Sequence, residues 1–519
     1  MAKHSLVFPA GLAGIELQRG RGIGRQLYQA LRQRILDGKL SGGARLPASR
    51  ELADLLAISR NTVMKAYEQL YAEGFVEGRV GDGTYVVALL PDTKKSSGSE
   101  YKLSTYSSTG LSTSLPTGLS TKTAALKPEE NTEIIHSPAL QRLDMHHLRP
   151  PVQGLPRAFR VGVPAFDLFP FDVWGRLHAA FWRKPGLHAL GYGEPAGEWQ
   201  LRELIARYLR TARGLDCNAE QIVITSGAQQ AISLCAQLLL APGDSVAVEN
   251  PGYRAAGHAL ALTGARVLGM AVDAEGMRCD RLHDAGCKLA YVTPSHQYPT
   301  GVVMSLARRL ELLAWAERAG GWIIEDDYDG EYRYSGAPLA PLAALDRQAL
   351  VLYVGTFGKV VFPALRLGYL VLPSELIQAF ERRKALDMRH SEVSTQRVMA
   401  QFMALGHFQR HIRRMRRAAL SRRDALLAGW PRDLPGCEPM PSVIAGLHAT
   451  VRVARLAREQ ELIAKAAAVD VEINPLSDYW LPDSTEPVDN RAGMVLGFAA
   501  VNEQAIAEAL RKLRYAWSV

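Results

Sequence analysis

The sequence predicts a protein of three parts: a small α+β domain at the N-terminus, a long flexible linker and a large α/β domain. Three observations support this division. Short helical patterns followed by a glycine-punctuated hairpin occupy residues 1–90, and residues 91–155 are rich in Ser, Thr, Pro and Gly. From 156 to 519, β-rich runs alternate with helical intervals.

Composition excludes several classes of protein. No run approaches the roughly 20 apolar residues that span a bilayer, and the N-terminus is too interrupted for a secretory signal. We therefore expect a cytoplasmic protein without a membrane partner. The five cysteines lack CxxC or metal-ligand spacing, which predicts reduced thiols and no metal site. The net charge of +9 permits a polyanionic partner.

The first domain is predicted to contain an amphipathic helix over about 24–37 and two closely spaced helices, in the letters SRELADLL and SRNTVMKAYEQLYAEG. Ser49 and Ser59 carry the small hydroxyl that favours a helix N-cap, and Gly74 suits the end of the third helix. The short spacing of the last two helices predicts a helix-turn-helix, and RVGDGTYVV after them predicts a wing.

The third helix has the two faces that a DNA-recognition helix needs. Four residues recur at helical spacing as a buried stripe, namely Val63, Ala66, Tyr67 and Leu70. Polar residues near the start of this helix, just ahead of it and on the wing form the predicted DNA contacts: Arg45, Arg50, Ser59, Arg60, Asn61, Thr62, Lys65 and Arg79. An ordinary three-helix domain with surface arginines is the alternative. A second basic cluster at 410–424 is more typical of a solvated helix face.

The linker, 91–155, has too few apolar residues to offset the entropy of ordering. Beyond it, runs such as QIVITSG, KLAYVTP, GWIIEDDY and VLYVGTF predict a mostly parallel sheet covered by helices on both faces. Ligands of such sheets bind beyond the carboxyl ends of the strands, so the polar residues there are candidates. Residues 375–519 return to helices with a few strands and predict a smaller α+β subdomain.

Lys359 follows one of these strands, in GTFGKVVFPALRLGYL. A lysine that forms a Schiff base with pyridoxal 5′-phosphate needs an acid against the pyridine nitrogen and a donor to the ring oxygen. Asp326 and Tyr328, in EDDYDGEYRY, meet these requirements, and Tyr253 is placed to stack on the ring. Taken singly, EDDYD is also typical of a solvated turn, and Tyr253 of a packing residue.

A cofactor phosphate needs amide donors and a cation. The amides of Ala228 and Gln229 open a helix directly after a strand, and Thr356 and Arg366 flank Lys359. SGAQ is equally typical of a simple helix cap. The occurrence of all these residues in this order favours the cofactor site.

The stretch LYQALRQRILDGKLSGGARLPASRELADLLAISRNTVMKAYEQLYAEGFVEGRVGDGTYV resembles the winged helix-turn-helix of GntR-family transcription regulators. Ala48 stands where that family usually has Ser. From about 159 onward, motifs including YGEPAGEWQLRELIARYL, SGAQQAI, ENPGYR, TPSHQYPTG and IIEDDYDGEYRY resemble a fold-type I aminotransferase. The combination is similar to the MocR/GabR subfamily.

This resemblance implies the same roles for the residues assigned above, with Lys359 as the Schiff-base lysine. It adds Tyr192, which matches a tyrosine that reaches the phosphate of the neighbouring subunit. The resemblance therefore implies a homodimer, head-to-tail and domain-swapped, with each DNA-binding domain lying on its partner.

Several positions depart from the aminotransferase pattern. Gly358 replaces a frequent Ser, and Tyr298 stands where true aminotransferases usually have an Asn, which favours sensing over turnover. His296, like its neighbour Gln297, either contacts the ring or an effector, or belongs to a structural turn.

The arginine that binds the substrate carboxylate has no clear counterpart. Its position is apolar at about Val495, so Arg491 and Arg254 are the remaining candidates to bind an effector. The effector then lacks an α-carboxylate, or is pyridoxal phosphate itself. The sequence predicts a regulator of promoter DNA that senses pyridoxal phosphate or an amino compound through an aldimine at Lys359. The alternative is an active aminotransferase with a fused DNA-binding domain.

Overall fold

A computed structural model describes residues 12, 14–15, 17–18, 22–79, 82–87, 138–146, 152–334 and 339–518. Within these ranges the N-terminal domain contains three helices and one three-stranded antiparallel sheet, with strand order β1-β3-β2. Its elements are α1 Ile23–Leu36, β1 Arg45–Leu46, α2 Ser49–Leu56, α3 Arg60–Ala72, β2 Val76–Arg79 and β3 Gly83–Val86. The predicted helix-turn-helix and wing are confirmed.

The core of this domain is the apolar face of its helices. The predicted stripe of α3 is buried at all four positions, Val63, Ala66, Tyr67 and Leu70. Ser59 caps α3 as predicted, because its side chain accepts a hydrogen bond from the Thr62 amide. The predicted cap at Ser49 is wrong: α2 begins at Ser49 itself, and Ser49 Oγ accepts from Arg60 Nε at 3.2 Å.

A short helix lies within the segment predicted to be a linker. Helix α4, Pro138–Met145, contacts the large domain through Arg142 Nε, which donates to the Leu262 carbonyl at 3.2 Å. His146 lies against the His258 ring, with 3.3 Å between their Nδ1 atoms. The C-terminal part of the predicted linker is therefore attached to the large domain, and residues 88–137 lie outside the described ranges.

The large domain is built on an eight-stranded sheet with strand order β4-β11-β10-β9-β8-β5-β6-β7. The strands are β4 Ile222–Thr225, β5 Ser245–Asn250, β6 Arg266–Asp273, β7 Gly276–Met277, β8 Cys287–Val292, β9 Trp322–Asp327, β10 Val351–Thr356 and β11 Gly368–Val371. The five strands from β10 to β6 are parallel, and β11, β4 and β7 run antiparallel to their neighbours. The predicted mostly parallel sheet is confirmed.

Helices cover both faces of this sheet because consecutive strand residues point to opposite sides. Ile324 and Leu352 pack in one core, and their neighbours Ile323 and Val351 pack in another. The helices of the large domain that precede β10 are α5 Phe171–Arg183, α6 Trp199–Tyr208, α7 Ala228–Leu239, α8 Arg254–Ala261 and α9 Leu306–Ala319. A π-helical turn, Leu209–Arg213, continues α6.

The C-terminal part adds a second, three-stranded sheet of order β12-β14-β13. Its elements are α10 Ile377–Met388, α11 Val393–Ala404, α12 His407–Gly429, β12 His448–Arg452, α13 Leu456–Ala468, β13 Asn474–Pro475, β14 Gly493–Gly497 and α14 Glu503–Trp517. The sequence places α10 and α11 in the smaller subdomain, but they contact α7, α5 and α6 of the large domain. Helix α10 packs against α7, and α11 packs against α5 and α6, so both helices belong to the large domain by their contacts.

The N-terminal domain lies on the large domain of the same chain. Leu345 joins the N-terminal core, with Leu306 and Leu313 packed against it. Arg25 Nη2 donates to the Arg210 carbonyl at 2.5 Å, and Arg32 Nη2 donates to the Ala344 carbonyl at 3.0 Å. This docking is made within one chain, whereas the resemblance implied docking on a partner.

None of the helices in the described ranges is long and apolar enough to cross a membrane.

Candidate functional site

A cavity of about 190 Å³ lies at the carboxyl ends of β4, β9 and β10, where the strand pattern predicted it. It brings together eight of the nine predicted cofactor residues: Ala228, Gln229, Tyr253, Asp326, Tyr328, Thr356, Lys359 and Arg366. Tyr192 is the exception. It lies on the surface with 89% of its area exposed, beside the ring of His390.

Lys359 follows β10, and its amine is held inside the cavity. Lys359 Nζ donates to the Gly162 carbonyl at 2.8 Å. Burial lowers the pKa of Lys359, and the nearby carboxylates of Asp329 and Asp326 oppose that shift. A lowered pKa increases the fraction of free amine at neutral pH, which is the nucleophilic form.

Asp326 presents an unused acceptor to the cavity. Its Oδ2 accepts from the Tyr291 hydroxyl at 2.7 Å, and its buried Oδ1 has no hydrogen-bond partner among the described residues. Burial is the main cause, and the negative charge of the neighbouring Asp327 a further one, of a pKa of Asp326 raised to about 7. Buried polar atoms are nearly always paired, so Oδ1 fits a donor that arrives with a ligand.

Tyr328 is fixed from behind the cavity. Its hydroxyl donates to the His296 carbonyl at 2.9 Å and lies 3.0 Å from His296 Nδ1. His296 is buried against Asp329, with 3.0 Å between Nδ1 and Oδ2. His296 therefore positions Tyr328 and does not line the cavity, and Gln297 belongs to the turn, where its Nε2 donates to the Tyr298 carbonyl.

An anion cradle lies beside Lys359. Helix α7 begins immediately after Gly227, whose φ of 96° is a conformation that favours glycine. Arg366 stands over this turn, and its Nη2 donates to the Ser226 carbonyl at 2.6 Å. Exposed amides at a helix start together with a cation attract phosphate. Tyr253 lies beside this cradle, because its hydroxyl donates to Gln229 Oε1 at 3.3 Å.

The two arginines predicted to bind an effector do not reach the cavity. Arg254 Nη1 donates to the Asp478 carbonyl at 3.2 Å. Arg491 donates through Nε to the Glu486 carbonyl and through Nη2 to the Ser484 carbonyl, at 2.9 and 2.6 Å. Neither arginine lines the cavity, and both are hydrogen-bonded to backbone carbonyls of the 478–486 segment. Their role toward an effector stays a prediction.

Sequence reasoning missed several residues that line the cavity, among them Tyr291, Gly162 and His448. Tyr291, in KLAYVTP, was identifiable as a polar residue near the end of a strand, because it is the last residue but one of β8, whose carboxyl end adjoins the site. Gly162 and His448 come from a loop and from β12, which no local pattern connects to Lys359. His448, His296 and Asp329 each have one nitrogen or oxygen atom that could ligate a metal, and these three atoms lie within 4.8 Å of one another. The spacing of the three residues in the sequence did not indicate this proximity.

Most of the predicted DNA contacts lie on the surface. Arg45, Arg50, Ser59, Arg60, Asn61 and Lys65 are exposed, and Thr62 is partly buried. The Ser59 and Thr62 hydroxyls are hydrogen-bonded to each other at 2.8 Å, and Lys65 borders a cleft of about 360 Å³ between the two domains. The side chain of Arg79 lies outside the described residues.

Arg213 borders the interdomain cleft and also binds Asp327. Arg213 ends the π-helical turn, borders this cleft, and has a side chain only 2% exposed. Its guanidinium forms an ion pair with Asp327, and its Nη1 donates to the Gly330 carbonyl at 2.8 Å. Asp327 and Gly330 flank Tyr328, so the cleft and the cavity share one loop.

Two family models match the chain. Residues 23–86 match bacterial regulatory proteins of the gntR family, and residues 183–467 match aminotransferase class I and II.

Regulators of known sequence are similar over nearly the whole length. The chain is 33% identical to the probable rhizopine catabolism regulatory protein MocR of Rhizobium meliloti, over 95% of this chain and 93% of that protein. It is 30% identical to the pyridoxine biosynthesis transcriptional regulator PdxR of Corynebacterium glutamicum, over 95% of this chain and 96% of that protein.

Among solved structures, similarity is to aminotransferases. The kynurenine aminotransferase of Pyrococcus horikoshii, in complex with PMP, matches with a TM-score of 0.63 and 28% identity, covering 74% of this chain and 95% of that one. The α-aminoadipate aminotransferase LysN of Thermus thermophilus, complexed with N-(5′-phosphopyridoxyl)-L-leucine, matches with a TM-score of 0.62 and 26% identity, covering 74% and 95%.

Proposed function

Because the chain belongs to the MocR/GabR subfamily of GntR-family transcription regulators, we propose that its DNA binding is controlled by pyridoxal 5′-phosphate, or by an amino compound, at Lys359. The unpaired buried Oδ1 of Asp326 in a cavity shared with Lys359 is the observation that carries this proposal. It is the acceptor that a protonated pyridine nitrogen requires.

The described residues fit this cofactor. The start of α7, Thr356 and Arg366 would hold the phosphate, and Asp326 the pyridine nitrogen. Tyr328 would donate to the ring oxygen after its hydroxyl turns from the His296 carbonyl. When bound, the cofactor supplies an aldehyde carbon that holds one amine at a time, so exchange of Lys359 for another amine releases the lysine without a change of oxidation state.

A ligand in the cavity would contact Tyr328 and Lys359, and through them it would affect the contacts between the two domains. Tyr328 lies between Asp327 and Asp329, and Asp327 is held by Arg213 at the interdomain cleft. A ligand changes DNA binding only if it favours one arrangement of the domains over another. The shared loop is the place where such a preference would arise.

A homodimer is part of this proposal. Large apolar side chains are exposed along the stretch from α5 to the start of α6: Phe171, Trp182, Leu187, Leu190, Tyr192 and Trp199. A concentration of this kind marks a protein interface more often than free surface. We place the partner there, with Tyr192 directed to the partner's phosphate and the domain swap as one arrangement of the pair. Analytical ultracentrifugation of Leu187→Glu should show a shift from dimer to monomer.

Lys359→Ala tests the proposal. The variant should take up pyridoxal phosphate without the visible absorption band of the covalent form, and its binding to promoter DNA should no longer respond to cofactor, while basal DNA binding and the folded dimer persist. Lys288→Ala, at an exposed lysine in β8, is the matched control and should behave as the parent protein. An unchanged response to the cofactor in Lys359→Ala would contradict the proposal.

A working aminotransferase with a fused DNA-binding domain is the second candidate. The presence of both Lys359 and Asp326 in the cavity favours it, and Tyr298 in place of the usual Asn opposes it. Sustained conversion of an amino acid and a keto acid over many cycles would establish this activity. A single half-reaction, or no reaction, would contradict the aminotransferase and leave the regulator as the supported function.

A further inference from the structure

The interdomain cleft is a second cavity, separate from the one that contains Lys359. Its walls come from α1 and α3 of the N-terminal domain and from the π-helical turn of the large domain. Among the described residues, none lines both cavities. The cleft volume of about 360 Å³ is within the range of pockets that bind small molecules. The cleft is therefore large enough for a ligand of its own.

Positive charge is in excess at this cleft. Its lining includes Arg25, Arg32 and Lys65 from the N-terminal domain and Arg213 from the large domain, with Glu73 as the carboxylate among the described lining residues. Arg25 and Lys65 form no ion pair with any residue that the structure describes. Cations gathered in a concave site attract an anion.

Glu73 is occupied by other donors and leaves part of this charge without a partner. Its Oε2 accepts from the Tyr28 hydroxyl at 2.6 Å, and its Oε1 accepts from Gln69 Nε2. Arg32 Nε lies 4.0 Å from Glu73 Oε2, is buried, and has no hydrogen-bond partner among the described residues. Buried donors are nearly always paired, so Arg32 Nε fits an acceptor that arrives with a ligand.

A phosphate monoester matches this set of donors. It carries close to two negative charges at neutral pH and has three acceptor oxygens, so it can use Arg25, Arg32 and Lys65 together. A carboxylate has one charge and two oxygens in one plane, and would leave one of these cations unused. A DNA phosphate also has one charge, and a duplex is too wide for a space of about 360 Å³ between two domains.

We propose that the interdomain cleft is a second ligand site, which binds a small phosphorylated compound through Arg25, Arg32 and Lys65. The site does not depend on chemistry at Lys359 and therefore does not rest on the proposed function. A compound bound there contacts both domains at once, so its binding favours the docked arrangement of the domains.

Pairs of compounds that differ only by the phosphate test this inference. Glycerol 3-phosphate is compared with glycerol, and adenosine 5′-monophosphate with adenosine, with succinate as a dicarboxylate of the same charge. Each is titrated by calorimetry into the full chain, loaded with pyridoxal phosphate and freed of excess cofactor so that the cradle beside Lys359 is occupied. At least one phosphorylated probe should bind once per chain, about tenfold more tightly than its parent alcohol and than succinate.

Thr211→Glu adds a negative charge to the cleft from an exposed position of the large domain, and should weaken this binding by about tenfold. Thr211→Gln, of the same length without the charge, is the matched control and should bind as the parent protein does. Lys65→Gln should also weaken binding, whereas Arg207→Gln, at an exposed arginine outside the cleft lining, should not. The inference is overturned if neither phosphorylated probe binds, if succinate binds as tightly, or if Thr211→Glu and Thr211→Gln bind equally. None of these results would alter the cofactor absorption band that depends on Lys359, so the proposed function would stand or fall separately.

Discussion

Two neighbouring aspartates show how one strand serves two tasks. Side chains alternate along β9, so Asp326 faces the cavity while Asp327 faces away from it and is held by Arg213 and the Tyr353 hydroxyl. The sequence predicted the role of Asp326 from its place at a strand end. It gave no role to Asp327, because the partner arginine comes from a distant helix.

Asp326→Asn should change how the stability of the cofactor-free protein depends on pH. Folding raises the pKa of Asp326 to about 7, so between about pH 4 and 7 the folded chain holds more protons than the unfolded chain. Its contribution to stability therefore falls as pH rises. Asn does not titrate and therefore avoids this loss. Urea unfolding should show that the free energy of unfolding of the variant, relative to that of wild type, increases by about 1–3 kcal/mol from pH 5 to pH 7.5.

The exposed Asp54→Asn is the control, and its stability relative to wild type should be independent of pH in that range. The same Asp326→Asn protein should bind pyridoxal phosphate more weakly, because a neutral amide no longer favours a protonated pyridine nitrogen. A constant stability difference combined with unchanged cofactor affinity would contradict the role assigned to Asp326.

At the scale of elements, the π-helical turn Leu209–Arg213 connects the two domains. The Arg210 carbonyl accepts from Arg25 of α1, and Arg213 at the end of the turn pairs with Asp327. Irregular turns of this type often occur at functional positions. The sequence predicted helical intervals between the strands but not this turn, because its conformation depends on partners in α1 and β9.

Arg213→Met should destabilise the protein by about 3–5 kcal/mol, since it leaves the Asp327 carboxylate buried without its cation. Arg213→Lys keeps the charge but loses the fork that reaches Asp327 and the Gly330 carbonyl together, so its loss should be smaller. Urea unfolding measures both. Arg207→Met, at an exposed arginine one turn earlier, should stay within about 0.5 kcal/mol of wild type.

Residues that reach the site only through tertiary structure could not be predicted from the sequence. The strand ends of β4, β9 and β10 carry local patterns, and eight of the nine predicted cofactor residues meet in one cavity. His448 reaches that cavity because the small sheet folds over it, and Leu345 reaches the N-terminal core because the domains dock. Neither side chain carries a local signal, since each contact depends on elements far away in the chain.

At the scale of the whole molecule, DNA binding and cofactor binding should be separable. Arg60→Ala removes an exposed cation from the start of α3, so DNA affinity should fall. The slope of log affinity against log salt concentration should become shallower by about one. Cofactor affinity should not change. Arg417→Ala, within the basic cluster at 410–424, should alter neither if that cluster is a solvated helix face. Equal losses of both affinities in Arg60→Ala would refute this division.

The docking of the two domains is the last requirement for regulation, and Leu345 tests it. Leu345 belongs to the large domain in sequence but is only 7% exposed, because it packs in the core of the N-terminal domain. Leu345→Ala should weaken this docking by about 2 kcal/mol through lost apolar burial. Promoter DNA and cofactor should each still bind, yet the effect of cofactor on DNA affinity should decrease. Anisotropy titrations with and without cofactor measure this coupling, and the exposed Leu155→Ala is the control. Undiminished coupling in Leu345→Ala would mean that the signal passes by another route, such as the partner subunit.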